Sequence, residues 1–422
     1  MDRRATSTIE RNTNVGRSLR RIGRLALTLL VGASLSVGIA APARAAGVRT
    51  FSINFLREKY HFNPEILPSL LETHPANLGV AGSEEATYEL NTAGKFIGWH
   101  FKLNVVTVPD GGNLVAAAQR LLAHGPTVII ADLKANDLLT VANLPAARNA
   151  VILDMRTIED SLRQQDCRAN VFHLLPNQAM QTDALAQYLV LKRWTRWFII
   201  QGPTPGDAVY AADIRRSAMR YGAHVSADKL YNYNPGSRRS DTGYQQIQTQ
   251  MPLATEVDAD YDVIFVADET DLFGDYLPYN TFAARPVVGT QGLVATAWTP
   301  AYQSYAALQM QQRFDLFAHR NMTERDYGGW LAVRIIGNAV MRAGITTAVP
   351  MRKYLRSKDF LVAGYKGQGL TFRRWDQQLR QPVLLATPLM VVSMSPQHGF
   401  LHPGYTTDTL GFDKPETKCD LH

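Results

Sequence analysis

Short runs of β-branched and other apolar residues alternate along the chain with stretches of helical spacing. Val105–Val108, Val128–Ala131, Val151–Leu153, Phe198–Gln201, Val263–Ala267 and Val287–Gly289 are apolar throughout or nearly so, the pattern of strands buried on both faces. Between them, Leu114–Ala123 carries apolar residues at helical intervals and stops at Gly125-Pro126. Ala208–Tyr221 ends at Gly222 and Tyr327–Ala343 at Gly344, where glycine supplies a left-handed stop. Alternation of this kind predicts an α/β fold with parallel sheets covered by helices on both faces. A chain of 422 residues is too long for one small core and predicts two lobes.

The amino-terminal segment follows a different pattern. Arg17, Arg20, Arg21 and Arg24 precede an uncharged run from Leu25 to Ala41, and Ala43-Arg44-Ala45 then offers small residues where a signal peptidase reads. This order predicts a cleavable secretory signal over 1–45, the apolar run being short of the ~20 residues that a membrane span needs. Removing it changes the charge picture. The full chain holds 44 basic and 37 acidic residues, but residues 1–45 take eight of the basic and two of the acidic ones, leaving 36 against 35. A nearly neutral mature chain gives no electrostatic case for a nucleic-acid partner. The exported chain would keep two cysteines, Cys167 and Cys419, which can pair in an oxidising compartment and pin the carboxyl-terminal tail to a mid-chain segment, or stay as two separate buried thiols.

Three of the expected strands end in acid, at Asp132, Asp154 and Asp268, with Glu269 and Asp271 extending the third. In open parallel sheets ligands bind beyond the carboxyl ends of strands, so these acids stand where a ligand would. The plainer reading is that an aspartate after a strand caps the turn or helix that follows. Motifs for chemistry are missing: no Gly-x-Ser-x-Gly, no phosphate-binding loop, no Gly-x-Gly-x-x-Gly and no His-Glu-x-x-His. His398 and His402 are four apart, but Pro396, Gly399, Pro403 and Gly404 place them in a loop rather than on one helix face. The balance moves from an enzyme to a binding protein, with no cofactor and no metal implied.

Glu89-Leu-Asn91-Thr-Ala-Gly94-Lys-Phe-Ile-Gly98 resembles a segment of the type I periplasmic substrate-binding proteins, the branched-chain amino-acid-binding family of ABC importers, with Lys95 in place of a usual glycine. Phe172-His-Leu-Leu-Pro176 followed by helical Gln178–Lys192 is similar to that family's first crossing into the second lobe. Phe198-Ile-Ile-Gln-Gly, then Asp207-Ala-Val-Tyr210-Ala, then Tyr221-Gly222-Ala-His-Val resembles its strand, "D-x-x-Y-G" and "G-A-x-V" sequence, with Ala211 replacing the glycine. Gly369–Pro382 and Ser395–His402 look like a subgroup that accompanies PQQ-dependent alcohol dehydrogenase systems.

The resemblance implies two Rossmann-like lobes, 46–170 plus 293–345 and 171–292 plus 346–400, a tail over 401–422, and a three-segment hinge near 168–175, 290–297 and 343–350. It implies a ligand set between the lobes of Asp132, Asn136, Asp154, Arg156, Tyr210, Asp268 and Glu269. Where amino-acid binders carry Ser or Thr for the α-carboxylate, this chain has Asp154-Met155-Arg156. Arg156 could act as a carboxylate fork or pair with Asp154, and an acid-rich cleft suits a cation, a polyol or a metal-bound species better than an ordinary amino acid. The implied partners are a small-molecule ligand, an inner-membrane ABC permease and a periplasmic PQQ-dependent dehydrogenase system. Two other readings stay open: a sensor or cofactor-delivery protein on the same fold, and a periplasmic hydrolase using paired carboxylates.

Overall fold

The computed structural model describes residues 47–59, 75–125, 127–232 and 246–421. The expected signal segment and its cleavage point lie outside the described residues. Among those residues no helix is long and apolar enough to cross a membrane.

The first sheet holds β1 (Arg49–Glu58), β2 (Trp99–Val108), β3 (Val128–Asp132), β4 (Val151–Asp154) and β5 (Val171–His173), in the order β2-β1-β3-β4-β5 and parallel throughout. Helices α1 (Val80–Gly94), α2 (Leu114–Leu122) and α3 (Ala135–Ala142) link its first four strands. Side chains alternate along each strand, so neighbours serve opposite cores. Phe55, Ile130 and Leu153 pack with α1, whereas Leu56, Ile129 and Ile152 pack with α2 and α3. Both faces are covered, which is why these strands read as unbroken apolar runs. The sequence pattern missed β1, whose Ser52, Asn54 and Arg57 break its apolar run.

The chain then enters the second lobe through α4 (Gln178–Leu191), β6 (Arg196–Gln201), α5 (Pro205–Tyr221), β7 (His224–Leu230), α6 (Ile247–Ala254), β8 (Val263–Ala267), β9 (Val287–Gly289) and β10 (Leu293–Thr296). Ile199 and Phe265 face α4 and α5, while Ile200 and Val266 face the core beside α6. After β10 the chain returns to the first lobe. There α7 (Ala307–Ala318), α8 (Glu324–Gly337) and α9 (Ala348–Leu355) join the core of α1 and the first sheet. Helices α1 and α8 touch at their backbones: a Cβ on Gly82 would fall 1.8 Å from the Asp326 carbonyl oxygen, so only glycine permits this approach.

Three expectations need correction. The third crossing was expected near 343–350, and 346–400 in the second lobe. Instead Ala348, Met351, Leu355 and Phe360 are buried in the first core. A small antiparallel sheet of β11 (Val362–Ala363), β12 (Gly369–Phe372) and β13 (Leu379–Arg380) stays there too, with Phe372 edge-on to Phe172. Only then do β14 (Val383–Thr387) and β15 (Met390–Ser395) enter the second sheet. That sheet, ordered β15-β14-β10-β9-β8-β6-β7, is therefore mixed rather than parallel, because β14 runs antiparallel to β10 and to β15. Likewise β10, expected in the first lobe, is a strand of the second sheet.

Candidate functional site

The carboxyl ends of β3 and β4 in one lobe, and of β8 in the other, carry the three strand-ending acids. Asp154 is buried, and its carboxylate is fully engaged by its own lobe. It accepts the backbone N–H groups of Arg156 at 3.1 Å and Thr157 at 3.0 Å, and the Thr157 hydroxyl. His173 Nδ1 lies 2.7 Å away and Arg163 Nη2 at 3.9 Å. Burial pushes the Asp154 pKa up, but the His173, Arg163 and Thr157 contacts outweigh it and hold it below the usual range. Burial and Arg163 push His173 down to about 4. Arg163, 1% exposed, donates to Gln378 Oε1 at 3.0 Å and to the Thr157 carbonyl at 2.7 Å. Asp154 thus organises the turn after β4 and does not pair with Arg156 through its side chain.

Asp268 does the same task in the second lobe by different means. Its carboxylate accepts the backbone N–H groups of Leu272 at 3.0 Å, Phe273 at 2.7 Å and Gly274 at 2.7 Å. Burial raises its pKa against these bonds. Asp132 is buried against Arg325, whose Nη1 is 3.3 Å away. Asp154 and Asp268 thus hold the turns that follow their strands, as strand-ending aspartates commonly do, and Asp132 pairs with Arg325.

The neighbours of these acids are the residues left to face outward. Glu269 is exposed and accepts from the Gln178 side-chain amide. Its backbone N–H donates to Asp207 Oδ1 at 2.7 Å, which ties it to the first turn of α5. Asp207 and Thr204 close a capping box there. Lost hydration raises the Glu269 pKa; Gln178 opposes the rise and Asp207 and Glu159 add to it. Tyr210, on α5, is buried, and burial together with Glu269 and Asp213 raises its hydroxyl pKa. In the first lobe Asn136 is exposed on α3. Arg156, half-buried, acts on Glu58, whose pKa is raised by burial and by a hydrogen bond with Asp137. So Tyr210 and Glu269 are brought together, as are Arg156, Glu58 and Asp137.

Sequence reasoning missed the residues that join the lobes at this point. Asp160, in the turn after β4, accepts from Asn177 Nδ2 at 2.5 Å and from the Ala179 N–H, at the start of α4, at 3.1 Å. It also shares a hydrogen bond with Asp213 of α5, and burial and Asp160 push the Asp213 pKa up to about 8. Arg216 flanks the pair, 3.6 Å from Asp213 and 2.9 Å from Asp183. Asp213, Arg216 and Arg220 at helical spacing were the available signal, but spacing alone does not tell a solvated face from a buried one.

Among the described residues no group of three or more His, Cys, Asp or Glu side chains could hold a metal ion. His402 lies in a loop, 3.4 Å from Asp413. A cavity of about 430 Å³, lined by Arg49, Ser52, Trp99, Thr127 and Thr347, lies at the amino ends of β1–β3, the opposite edge of the sheet from the acids. Cys167 and Cys419 are disulfide-bonded, with Cα atoms 5.6 Å apart.

Residues 75–250 match the family model described as periplasmic binding protein. Solved structures align over nearly the whole chain. A branched-chain amino acid ABC transporter periplasmic ligand-binding protein from Burkholderia xenovorans aligns with a TM-score of 0.66 at 15% identity, over 88% of this chain and 99% of that one. The fold is that of the type I periplasmic binding proteins. An amino acid ABC transporter substrate-binding protein from Pseudomonas fluorescens gives 0.64 at 12% identity, over 89% and 100%. A leucine-, isoleucine-, valine-, threonine- and alanine-binding protein from Brucella ovis, in a closed conformation, gives 0.63 at 14% identity, over 89% and 99%. No curated protein matches the chain in sequence. Between the lobes, Glu159 of the turn after β4 acts on Glu269, which also accepts from Gln178.

Proposed function

We propose that this chain is the periplasmic solute-binding component of an ABC importer, exported by its amino-terminal signal, and that it closes about a small ligand held between its lobes. The observation that supports this most is that Glu269, exposed after β8 and tied by its backbone to Asp207 of α5, lies close enough to Glu159 of the other lobe for their charges to act on each other. The ligand needs only to favour the closed arrangement, which then presents a new surface to an inner-membrane permease. No reaction is required of the residues, so the protein acts without turnover.

The charges select the ligand's chemistry. Glu269 and Glu159 act on one another, so a ligand carrying a positive charge or several hydroxyl donors relieves their repulsion. Asp154 and Asp268 supply no contact, since backbone amides and buried partners already occupy them. The subgroup resemblance of Gly369–Pro382 and Ser395–His402 ties the protein to PQQ-dependent alcohol oxidation, with a periplasmic dehydrogenase system as the wider partner.

Thermal denaturation against amino acids, polyamines, short alcohols, aldehydes and acids, polyols, PQQ, calcium and a lanthanide tests the proposal. A ligand at 100 times its dissociation constant adds about 2.7 kcal/mol and moves the midpoint by a few degrees. The expected result is a shift with a cationic or polyhydroxyl compound that Glu269→Gln abolishes while the ligand-free midpoint stays within about a degree. A folded protein that shifts with none of these would overturn it.

A further inference from the structure

The carboxyl-terminal tail touches both lobes, and every one of its anchors is specific. On the second lobe, the Gly411 N–H donates to the buried Asp183 at 2.8 Å, Tyr221 donates to the Thr409 carbonyl at 2.8 Å, and Arg220 donates to the Gly411 carbonyl at 2.8 Å. Leu410 is buried in the core of α4 and α5, and Phe400 sits edge-on to Tyr221 at 5.5 Å. On the first lobe, the buried Asp408 accepts from Arg373 Nε at 3.0 Å and from Arg380 Nε at 2.8 Å; these arginines lie beside and within the β12–β13 hairpin. Farther along, the Lys418 N–H donates to Gln164 at 2.7 Å, and Cys419 is bonded to Cys167 in the segment between β4 and β5.

We propose that residues 400–421 form a strap across the two lobes that limits how far they open, with the Cys167–Cys419 bond as its lock. Separation of the lobes would have to pull Gly411 from Asp183 or Asp408 from its two arginines. Removing a charge partner from a buried pair is costly, so both anchors resist. The disulfide adds a covalent limit. Eight residues separate Gly411 from Cys419, and an extended chain reaches at most about 3.3–3.6 Å per residue, so even a stretched strap stops the lobes within about 30 Å of tail. Reduction converts a closed loop into a free end, whose anchors can then peel off one at a time.

The inference rests on the lobes moving about their connections, but its test needs no ligand, so its failure and the failure of the binding proposal are distinguishable. Dyes are attached through non-natural amino acids at Phe96 of the first lobe and Met219 of the second, which are 88% and 79% exposed. Single-molecule energy transfer is then recorded on the ligand-free, oxidised protein, on the same protein reduced with dithiothreitol, and on Cys167→Ser/Cys419→Ser. The oxidised protein is expected to show one narrow high-efficiency population. Reduction and the double substitution are expected to add a second population of lower efficiency. Asp408→Asn with the disulfide intact should broaden the single population without adding the second. The same distribution in oxidised and reduced protein, with circular dichroism showing both folded, would overturn the strap. Reduction of protein that has already folded keeps the test decisive if the double variant does not fold.

Discussion

The turns that follow β4 and β8 begin alike and are built differently. Each opens with a buried aspartate that gathers the next few residues. Asp268 does so with backbone N–H groups, three of them between 2.7 and 3.0 Å, and a contact from Thr270. Asp154 takes two backbone N–H groups and then adds His173 and the fully buried Arg163. An aspartate held by amides is a local cap; one that neutralises a buried guanidinium supports the surrounding packing as well, because Arg163 also reaches Gln378 of the distant β12–β13 hairpin and the Leu175 carbonyl at the lobe crossing. The first turn is thus a platform joined to the hinge, and the second a loop held by its own amides, Asp207 and Gln291 that sets Glu269 in place.

The largest effect that breaks this comparison is Asp154→Ala. It leaves Arg163 buried without its anion and should cost about 3–5 kcal/mol, read as a fall in the urea midpoint. Asp268→Ala strands backbone donors but no charge, and should cost about 1–3 kcal/mol. If Asp268→Ala proves the more damaging of the two, the buried charge network is not what separates the turns.

The same pair of residues shows what the sequence can and cannot carry. Burial on both faces is written in residue type as an unbroken apolar run, so Val128–Ala131 and Val263–Ala267 announce doubly covered strands. β1 does not, because Asn54 and Arg57 sit at its part-buried and end positions and find partners only in the fold: Asn54 bonds Thr127, and Arg57 reaches the Ala76 carbonyl. Strand-ending acids mark the carboxyl edge of each sheet, yet the less buried side chains sit one or two residues on: Glu269 follows Asp268, and Arg156 follows Asp154 by two. A carboxylate that accepts neighbouring amides and one that faces a ligand look the same until the turn is built. His173 stood inside a segment legible as a lobe crossing, but its role depends on Arg163 and Asp154, ten and nineteen residues away. The third crossing was misplaced for a related reason. Residues 348–380 form a helix and a small sheet whose apolar side chains fit either core equally well by composition, and only their burial in the first core, with Phe372 against Phe172, assigns them to it.

The last expected effect is read through pH and concerns the place where the platform turn meets the second lobe. Asp160, in the turn after β4, shares a hydrogen bond with Asp213, whose pKa is pushed up to about 8 by burial and by Asp160 itself. In the unfolded chain that carboxyl loses its proton near the ordinary aspartate value. Between there and pH 8 the folded protein therefore binds more protons than the unfolded one, and this contact's contribution is complete below the unfolded pKa and is lost as pH rises toward 8. The slope from one such group is at most about 1.4 kcal/mol per pH unit. Asp213→Asn keeps a donor for Asp160 but does not titrate. Urea midpoints at pH 5, 6.5 and 8 should decline with pH in the parent relative to Asp213→Asn, with the two curves converging toward the acid end if the amide donates as well as the acid does. Other titrating groups, such as His173 and Lys366, contribute equally to both proteins and cancel in the difference. Parallel curves across the three pH values would show that the carboxyls do not share a proton, and that the turn after β4 meets the second lobe through its bonds to α4, from Asn177 and the Gln178 and Ala179 amides.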